Sequence, residues 1–406
     1  MKKFAAFVLV FAMCVCLMAG CGSSSAPAAT EAPAAADSAA DNTASDTASA
    51  GVFKFGGVGP LTGAAAIYGQ AVKNGGQIAV DEINAAGGIN GAMIEYKFED
   101  DVSDGETSVN AYNNLYDWGM QVLAGPVTTG PSISVSAKVN EDRVFMLTPS
   151  ASSPDVTSGK DNVFQMCFTD PNQGTGSATY ITANMPESKI AIIYQNDDAY
   201  SQGIRDNFVS QGSANGLEVV YEGTFTKDTM TDFSVQLTGA QAAGADLVFL
   251  PIYYQPASVI LTQANAMGYA PLFFGVDGMD GILTLDNFDL SLAEGVMVLT
   301  PFSADAQDER TQNFVSEYVE RYGEIPNQFA ADEYDVIYAL KQALEESGCT
   351  PDMSAEEICD ALVSAFSTMT FDGLTGTGMT WNAEGEVSKM PAAVVIKDGV
   401  YVSAGE

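Results

Sequence analysis

From Val52 to Thr300 the apolar residues switch repeatedly between two spacings. VFKFGGV, MIEYKFED, QVLAG and RVFML are short runs rich in Val, Ile, Phe and Tyr, with the length and composition of strands. Between the first two lies IYGQAVKNGGQIAVDEINAAGG, where Tyr68, Val72, Gly75 or Gly76, Ala79 and Ile83 recur at helical spacing before Gly87-Gly88 stops the helix. The second half repeats the theme. KIAIIY, LEVVYEGTF, DLVFLP, PLFFG and GVMVLT read as strands, separated by the helices YSQGIRDNFVSQGSANG, TDFSVQLTGAQAAG and PASVILTQANAMGY. After Thr300 come two long helical segments, ERTQNFVSEYVERYG and FAADEYDVIYALKQALEESG, then a third over Ala355–Phe366, then FDGLTGTGMTW and an apolar hairpin, PAAVVIKDGVYV. Strands alternating with amphipathic helices predict parallel sheets joined by crossover helices, an α/β fold. Roughly 355 residues from Val52 onward are long for one core, so two domains are expected.

The N-terminus follows a different pattern. Lys2 and Lys3 precede an uncharged apolar run, Phe4 to Met18, that ends at Ala19-Gly20-Cys21. Residues 1–20 therefore read as an export signal, because the run falls short of the about 20 apolar residues a membrane-spanning helix needs. LMAGC is similar to a bacterial lipobox, with Met18 where leucine is commoner, and this makes Cys21 the expected lipid-bearing first residue of the mature chain. Residues 21–51 are almost entirely Ala, Ser, Thr, Pro, Gly, Asp and Glu and cannot bury enough surface to fold. As a flexible tether of about 30 residues this segment would reach roughly 30 Å.

Charge narrows the functional classes. The chain carries 16 Lys and Arg against 52 Asp and Glu, a formal net charge of −36, with no histidine. Such a surface repels phosphate backbones, so no nucleic-acid partner is expected. The missing histidine removes Ser-His-Asp and Cys-His catalysis and the commonest zinc sites. EDDVSDGE is similar to a calcium loop, but Val102 stands at its third position and no glutamate closes it, so no metal is expected. Of the cysteines beyond Cys21, Cys167 is isolated; Cys349 and Cys359 flank the loop TPDMS, as a bridge or as two thiols.

Ligands of open parallel sheets bind beyond the carboxyl ends of strands. The loops there are GPLTGAAAIYG, GPVTTGPS, TPSASSP, QNDDAYS, PIYYQP and GVDGMDG. Their spacing matches neither the dinucleotide fingerprint nor the phosphate-binding loop, so no cofactor is expected. They suit a small zwitterion instead. Thr128, Thr129, Ser150 and Ser152 lie at strand-to-helix or strand-to-turn junctions, where backbone N–H groups and hydroxyls can hold a carboxylate. Asp277 is the best-placed partner for an ammonium, with Asp280 second, and Tyr68, Tyr200, Tyr253 and Tyr254 supply aromatic walls. None of Arg143, Arg205, Arg310 and Arg321 falls in a predicted cleft loop.

GPLTGAAAIYGQ followed by IAVDEINAAGGINGAMIEYKFEDDVSD resembles the opening of the branched-chain-amino-acid-binding, Leu/Ile/Val-binding-like family of ABC-importer solute-binding proteins. The likeness continues through GPVTTG, TPSASSPDVTSG, IIYQNDDAYSQG, TDFSVQL, FVSEYVERYGEIPNQFAADEYDVIYAL and FDGLTG. The resemblance implies a type I periplasmic-binding-protein fold, with two Rossmann-like three-layer lobes whose central sheets are parallel. Three crossover strands near Phe168, Thr300 and Thr380 would join them, giving lobes of residues 52–168 plus 301–380 and 169–300 plus 381–406. It also implies an extracytoplasmic, membrane-anchored lipoprotein, monomeric and not an enzyme, that captures a small amino acid between the lobes and delivers it to a membrane permease. Family members also take amides, urea-like solutes or aromatic acids, and a sensory module with the same cleft is the alternative. By resemblance, Thr129 and Ser152 hold the carboxylate and the Ser150 carbonyl accepts from the ammonium. Tyr200, one of Tyr253 and Tyr254, and Asp277, a glutamate in many members, face them, while Tyr68 lines the side-chain pocket.

Overall fold

The computed structural model describes residues 51–404; the expected signal peptide, Cys21 and nearly all of the tether lie outside the described residues. The first sheet is built from β1 (Val52–Gly59), α1 (Ala66–Ala85), β2 (Met93–Asp100), α2 (Gly105–Asp117), β3 (Val122–Ala124), α3 (Thr129–Asp142), β4 (Phe145–Thr148) and β5 (Val163–Gln165). Its strands are all parallel in the order β2-β1-β3-β4-β5. The chain then crosses to α4 (Asp170–Asn184), β6 (Lys189–Gln195), α5 (Ala199–Asn215), β7 (Glu218–Phe225), α6 (Ser234–Ala242), β8 (Leu247–Leu250), α7 (Tyr254–Ala266), β9 (Leu272–Gly275) and β10 (Met297–Thr300). Next α8 (Glu309–Tyr322), α9 (Gln328–Glu346) and α10 (Ala355–Phe366) return to the first lobe, α9 packing on α1 and α10 on β3 and β4. Finally β11 (Ala392–Lys397) and β12 (Val400–Ser403) add an antiparallel hairpin to the second sheet, whose order is β12-β11-β10-β9-β8-β6-β7. The expected parallel sheets are present; the mixed edge is the hairpin's doing.

Three further helices, α2, α3 and α4, and the short β5 add to the elements legible in the sequence. α3 and α4 are rich in Gly, Ser and Thr and carry little apolar stripe. What makes α4 a helix is its close packing on α5. A Cβ at Gly174 would come 2.5 Å from the Ile204 carbonyl oxygen, so glycine here sets the approach of the two helices.

The segments crossing between the lobes are tied to one another. Trp381 Nε1 donates to the Gln165 carbonyl at 2.8 Å, and the Gln165 N–H donates to Gly385 at 2.9 Å. Beside them Lys389 Nζ meets Asp332 Oδ1 at 2.8 Å and Thr375 Oγ1 at 2.5 Å, wholly out of solvent. Cys349 and Cys359 are free, buried thiols, so the bridge across TPDMS is not formed. Cys349 closes the end of α9, its N–H donating to Leu344, while the Cys359 thiol on α10 lies by Arg143 and Asn162.

Candidate functional site

Both sheets reverse their strand order once, between β1 and β3 in the first lobe and between β6 and β8 in the second. Crevices open at such points beyond the strand ends. The loops after β1, β3 and β4 therefore face those after β6, β8 and β9. Tyr68, Val127, Thr128, Thr129, Ser150 and Phe329 from one lobe and Tyr200, Tyr253, Asp277 and Gly278 from the other enclose a cavity of about 10 Å³. That is room for about one water molecule.

The first lobe presents donors. Thr128 is the N-cap of α3, its hydroxyl 2.8 Å from Ser103 Oγ, and α3 aims its N-terminus at the cavity. There the Thr129 N–H meets the Tyr253 hydroxyl. The Ser150 hydroxyl is spent on the Val127 carbonyl at 2.7 Å, and Thr148 Oγ1 holds the following turn through the Ala151 N–H at 3.0 Å. This fixes Ser150 so that its role falls to its main chain. A helix N-terminus of this kind favours an anion.

The second lobe presents the opposite sign. Asp277 is buried, and its Oδ1 accepts from the Tyr200 hydroxyl at 2.6 Å. The Gly278 N–H donates to the same tyrosine oxygen at 3.0 Å. A side chain at Gly278 would strike that hydroxyl, its Cβ 2.5 Å away, so only glycine lets the tyrosine sit against the Asp277 turn. Tyr200 stacks on Tyr253, with centroids 4.8 Å apart. Burial pushes the Asp277 carboxyl up to about 7, opposed by the Tyr200 bond and reinforced by the charge of Asp332. The carboxylate is thus short of a cation.

Tyr68 closes one end. Its hydroxyl donates across the cleft to the Gly278 carbonyl and accepts from the Tyr254 N–H at 3.2 Å, while its ring lies 4.4 Å from that of Phe329. Tyr254 stands behind it, its hydroxyl accepting from the Ile67 N–H at 3.4 Å. Ser152 also lies off the cavity wall. Its hydroxyl donates to Asp170 Oδ1 at 2.7 Å and accepts from Gln173 Nε2 at 3.4 Å. Asp280 turns away to the first residue of α9. Sequence reasoning missed Phe329, and also Gln173 and Gln328, which hold the Asp277 N–H and carbonyl at 3.3 and 3.0 Å. Phe329 lies within the matched stretch EIPNQFAADEYD, the only signal that pointed to it. The arginines are engaged elsewhere: Arg143 with Asp161 and Asp360, Arg205 with Glu222, Arg310 with the Asp372 carbonyl and Arg321 with Asp81 and Glu317.

A two-lobed α/β chain with a buried, charge-complementary cavity at paired switch points has known counterparts. The family model described as "Periplasmic binding protein" matches residues 52–399. The chain belongs to the periplasmic binding protein family. This periplasmic binding protein is 32% identical over 305 residues to the Leu/Ile/Val-binding protein homolog 3 of Brucella melitensis, covering 74% of this chain and 80% of that one. It is 26% identical over 325 residues to the leucine-, isoleucine-, valine-, threonine-, and alanine-binding protein of Pseudomonas aeruginosa, covering 79% and 85%. Among solved structures, the branched-chain amino acid transporter substrate-binding protein LivJ of Streptococcus pneumoniae, in complex with isoleucine, superposes with a TM-score of 0.78 at 28% identity. The match covers 87% of this chain and 99% of that one. The fold is that of type I periplasmic binding proteins, and the family consists of transporter solute-binding proteins, which work outside the cytoplasm.

Proposed function

We propose that this protein captures a free amino acid with an apolar side chain, branched-chain or close to it, and delivers it to the permease of an ABC importer while anchored to the membrane by lipid on Cys21. The observation that carries the reading is the polarity of the cavity: the N-terminus of α3 on one wall and the buried Asp277 on the other. A zwitterion satisfies both ends at once, and its ammonium supplies the cation that Asp277 lacks. An aromatic acid would bring a second anion and no cation, so the carboxylate disfavours that class. Tyr68, Phe329 and Val127 provide the apolar lining beside it. Contacts from both lobes make closure the bound state, selected by the ligand through a hinge motion across the three crossings.

A thermal-shift screen of amino acids, amides and aromatic acids tests this. Leucine, isoleucine or valine at about 100 times its dissociation constant should stabilise the protein by roughly 2.7 kcal/mol; a screen in which no amino acid raises the melting temperature overturns it. For the anchor, Cys21→Ala should release the protein from the membrane fraction of producing cells.

A further inference from the structure

Two bonds span the lobes through side chains, those of Asp280 and Gln328, that do not line the cavity. Asp280 follows the Asp277 turn of the second lobe, yet its Oδ2 accepts from the Gln328 N–H, the first N–H of α9 in the first lobe, at 2.8 Å. Oδ1 accepts from the Gly281 N–H at 2.8 Å. Gln328 Nε2 returns across the seam to the Asp277 carbonyl at 3.0 Å. α9 is a 19-residue helix with no acidic residue in its first turn, and Asn327 already caps the Ala330 N–H from within the first lobe. The negative charge that an α9 N-terminus favours is therefore supplied from the opposite lobe. Asp280 itself is buried and borders a groove of about 340 Å³ that Phe302 and Asp305 of the second crossing also line, outside the amino-acid cavity.

We propose that Asp280 is a closure latch: its carboxylate docks on the N-terminus of α9 when the lobes shut and withdraws when they open, setting how long a captured ligand is held without contacting it. The inference rests on the closing cleft of the preceding section, but part of it can be tested without a ligand. Asp280 is a positioning residue. The hinge carries the Asp277–Gly281 turn with the second lobe, while Gln328 moves with α1 and the first lobe, so opening breaks both bonds together. In the open form the carboxylate and the α9 N–H groups are rehydrated, so the bonds contribute only their net difference, at the low end of what charged hydrogen bonds are worth. The latch thereby couples the turn that holds Asp277 to the helix that carries Phe329.

Stopped-flow binding of L-isoleucine to the wild type, Asp280→Ala, Asp280→Asn and Asn327→Ala tests the latch, together with small-angle X-ray scattering with and without the amino acid. Asn327→Ala weakens the same helix from within its own lobe and controls for damage to α9. The expected result for Asp280→Ala is an off-rate raised about tenfold, an on-rate within about twofold of wild type, and a larger radius of gyration in the ligand-free protein. Asp280→Asn should fall between, and Asn327→Ala should lower the melting temperature without changing the off-rate. Wild-type off-rate and radius of gyration in Asp280→Ala would overturn the latch, as would an off-rate change equally large in Asn327→Ala. Should L-isoleucine not bind the wild type, the amino-acid reading fails, while the ligand-free scattering of Asp280→Ala still decides the latch.

Discussion

The two walls of the cavity come from lobes of similar architecture but use different chemistry. The first lobe offers backbone N–H groups at the start of α3 and a turn locked by hydroxyls, with no ionised group at the cavity. The second offers one buried carboxylate braced by tyrosines. Dipoles placed by main chain cost little to bury because their geometry is fixed by the helix, whereas a lone carboxylate is costly to bury until a cation arrives. The asymmetry teaches that the second lobe should carry most of the ligand discrimination and the pH dependence. The first should contribute weaker, more distributed binding.

The largest effect should follow removal of the single charge. Asp277→Ala should weaken amino-acid binding by roughly a hundredfold or more, a few kcal/mol, because the ammonium is then buried unpaired. Lys160→Ala should leave it unchanged, since Lys160 bonds the carbonyls of Asp155 and Ser158 on the exposed side of its loop. Isothermal titration of both variants checks the pair, and equal affinities would remove Asp277 from the ammonium site.

The next effect is of pH. The ammonium needs Asp277 ionised, and the unliganded carboxyl sits at about 7. Affinity should therefore fall as pH drops below 7, by roughly tenfold per unit and about a hundredfold by pH 5. The sign for the ligand-free protein is opposite. A carboxyl raised above its unfolded value contributes stability in full below about pH 4, and that contribution is lost as pH rises through 7. The ligand-induced rise in melting temperature should grow between pH 5 and 8 in the wild type and flatten in Asp277→Asn; a flat wild-type profile would mean that Asp277 does not meet the ammonium.

Tyr200→Phe should come third. It removes the 2.6 Å bond to Asp277 and the acceptor for the Gly278 N–H but keeps the ring stacked on Tyr253. A weakening of about tenfold in titration calorimetry is expected, with the pH dependence shifted upward because the carboxyl loses a stabilising donor.

How much of this was legible in the sequence follows the same division. Main-chain features read well. Alternating apolar periods gave the sheets, and the rule that ligands lie beyond strand ends singled out Thr128, Thr129, Ser150, Tyr200, Tyr253 and Asp277, which the fold brings around one cavity. Side-chain commitments did not. Ser152 looks like a free hydroxyl in TPSASSP, but its donor goes to Asp170, which arrives on α4 only after the chain has crossed to the other lobe. Asp280 looks like a spare ammonium partner in GVDGMDG, yet α9, far along the chain, claims it. Local pattern specifies where a loop stands; which hydroxyl or carboxylate remains uncommitted depends on partners brought by tertiary packing.

The smallest effect separates two hydroxyl residues that the sequence treats alike. Thr129 stands at the first turn of α3 on the cavity wall, and among the described residues no group bonds its hydroxyl. Thr129→Val keeps the shape and the helix N–H groups and should weaken binding about threefold to tenfold, the worth of one hydrogen bond to a charged ligand group in a partly redundant cradle. Ser152→Ala should act through the fold. It strips the donor from a buried carboxylate whose Oδ2 has no hydrogen-bond partner among the described residues, so its cost should appear as a melting temperature lowered in the ligand-free protein. Thermal unfolding and titration of both variants sharpen the contrast: a Ser152→Ala protein of unchanged stability but lost affinity would move the carboxylate site from the α3 N-terminus to the loop after β4.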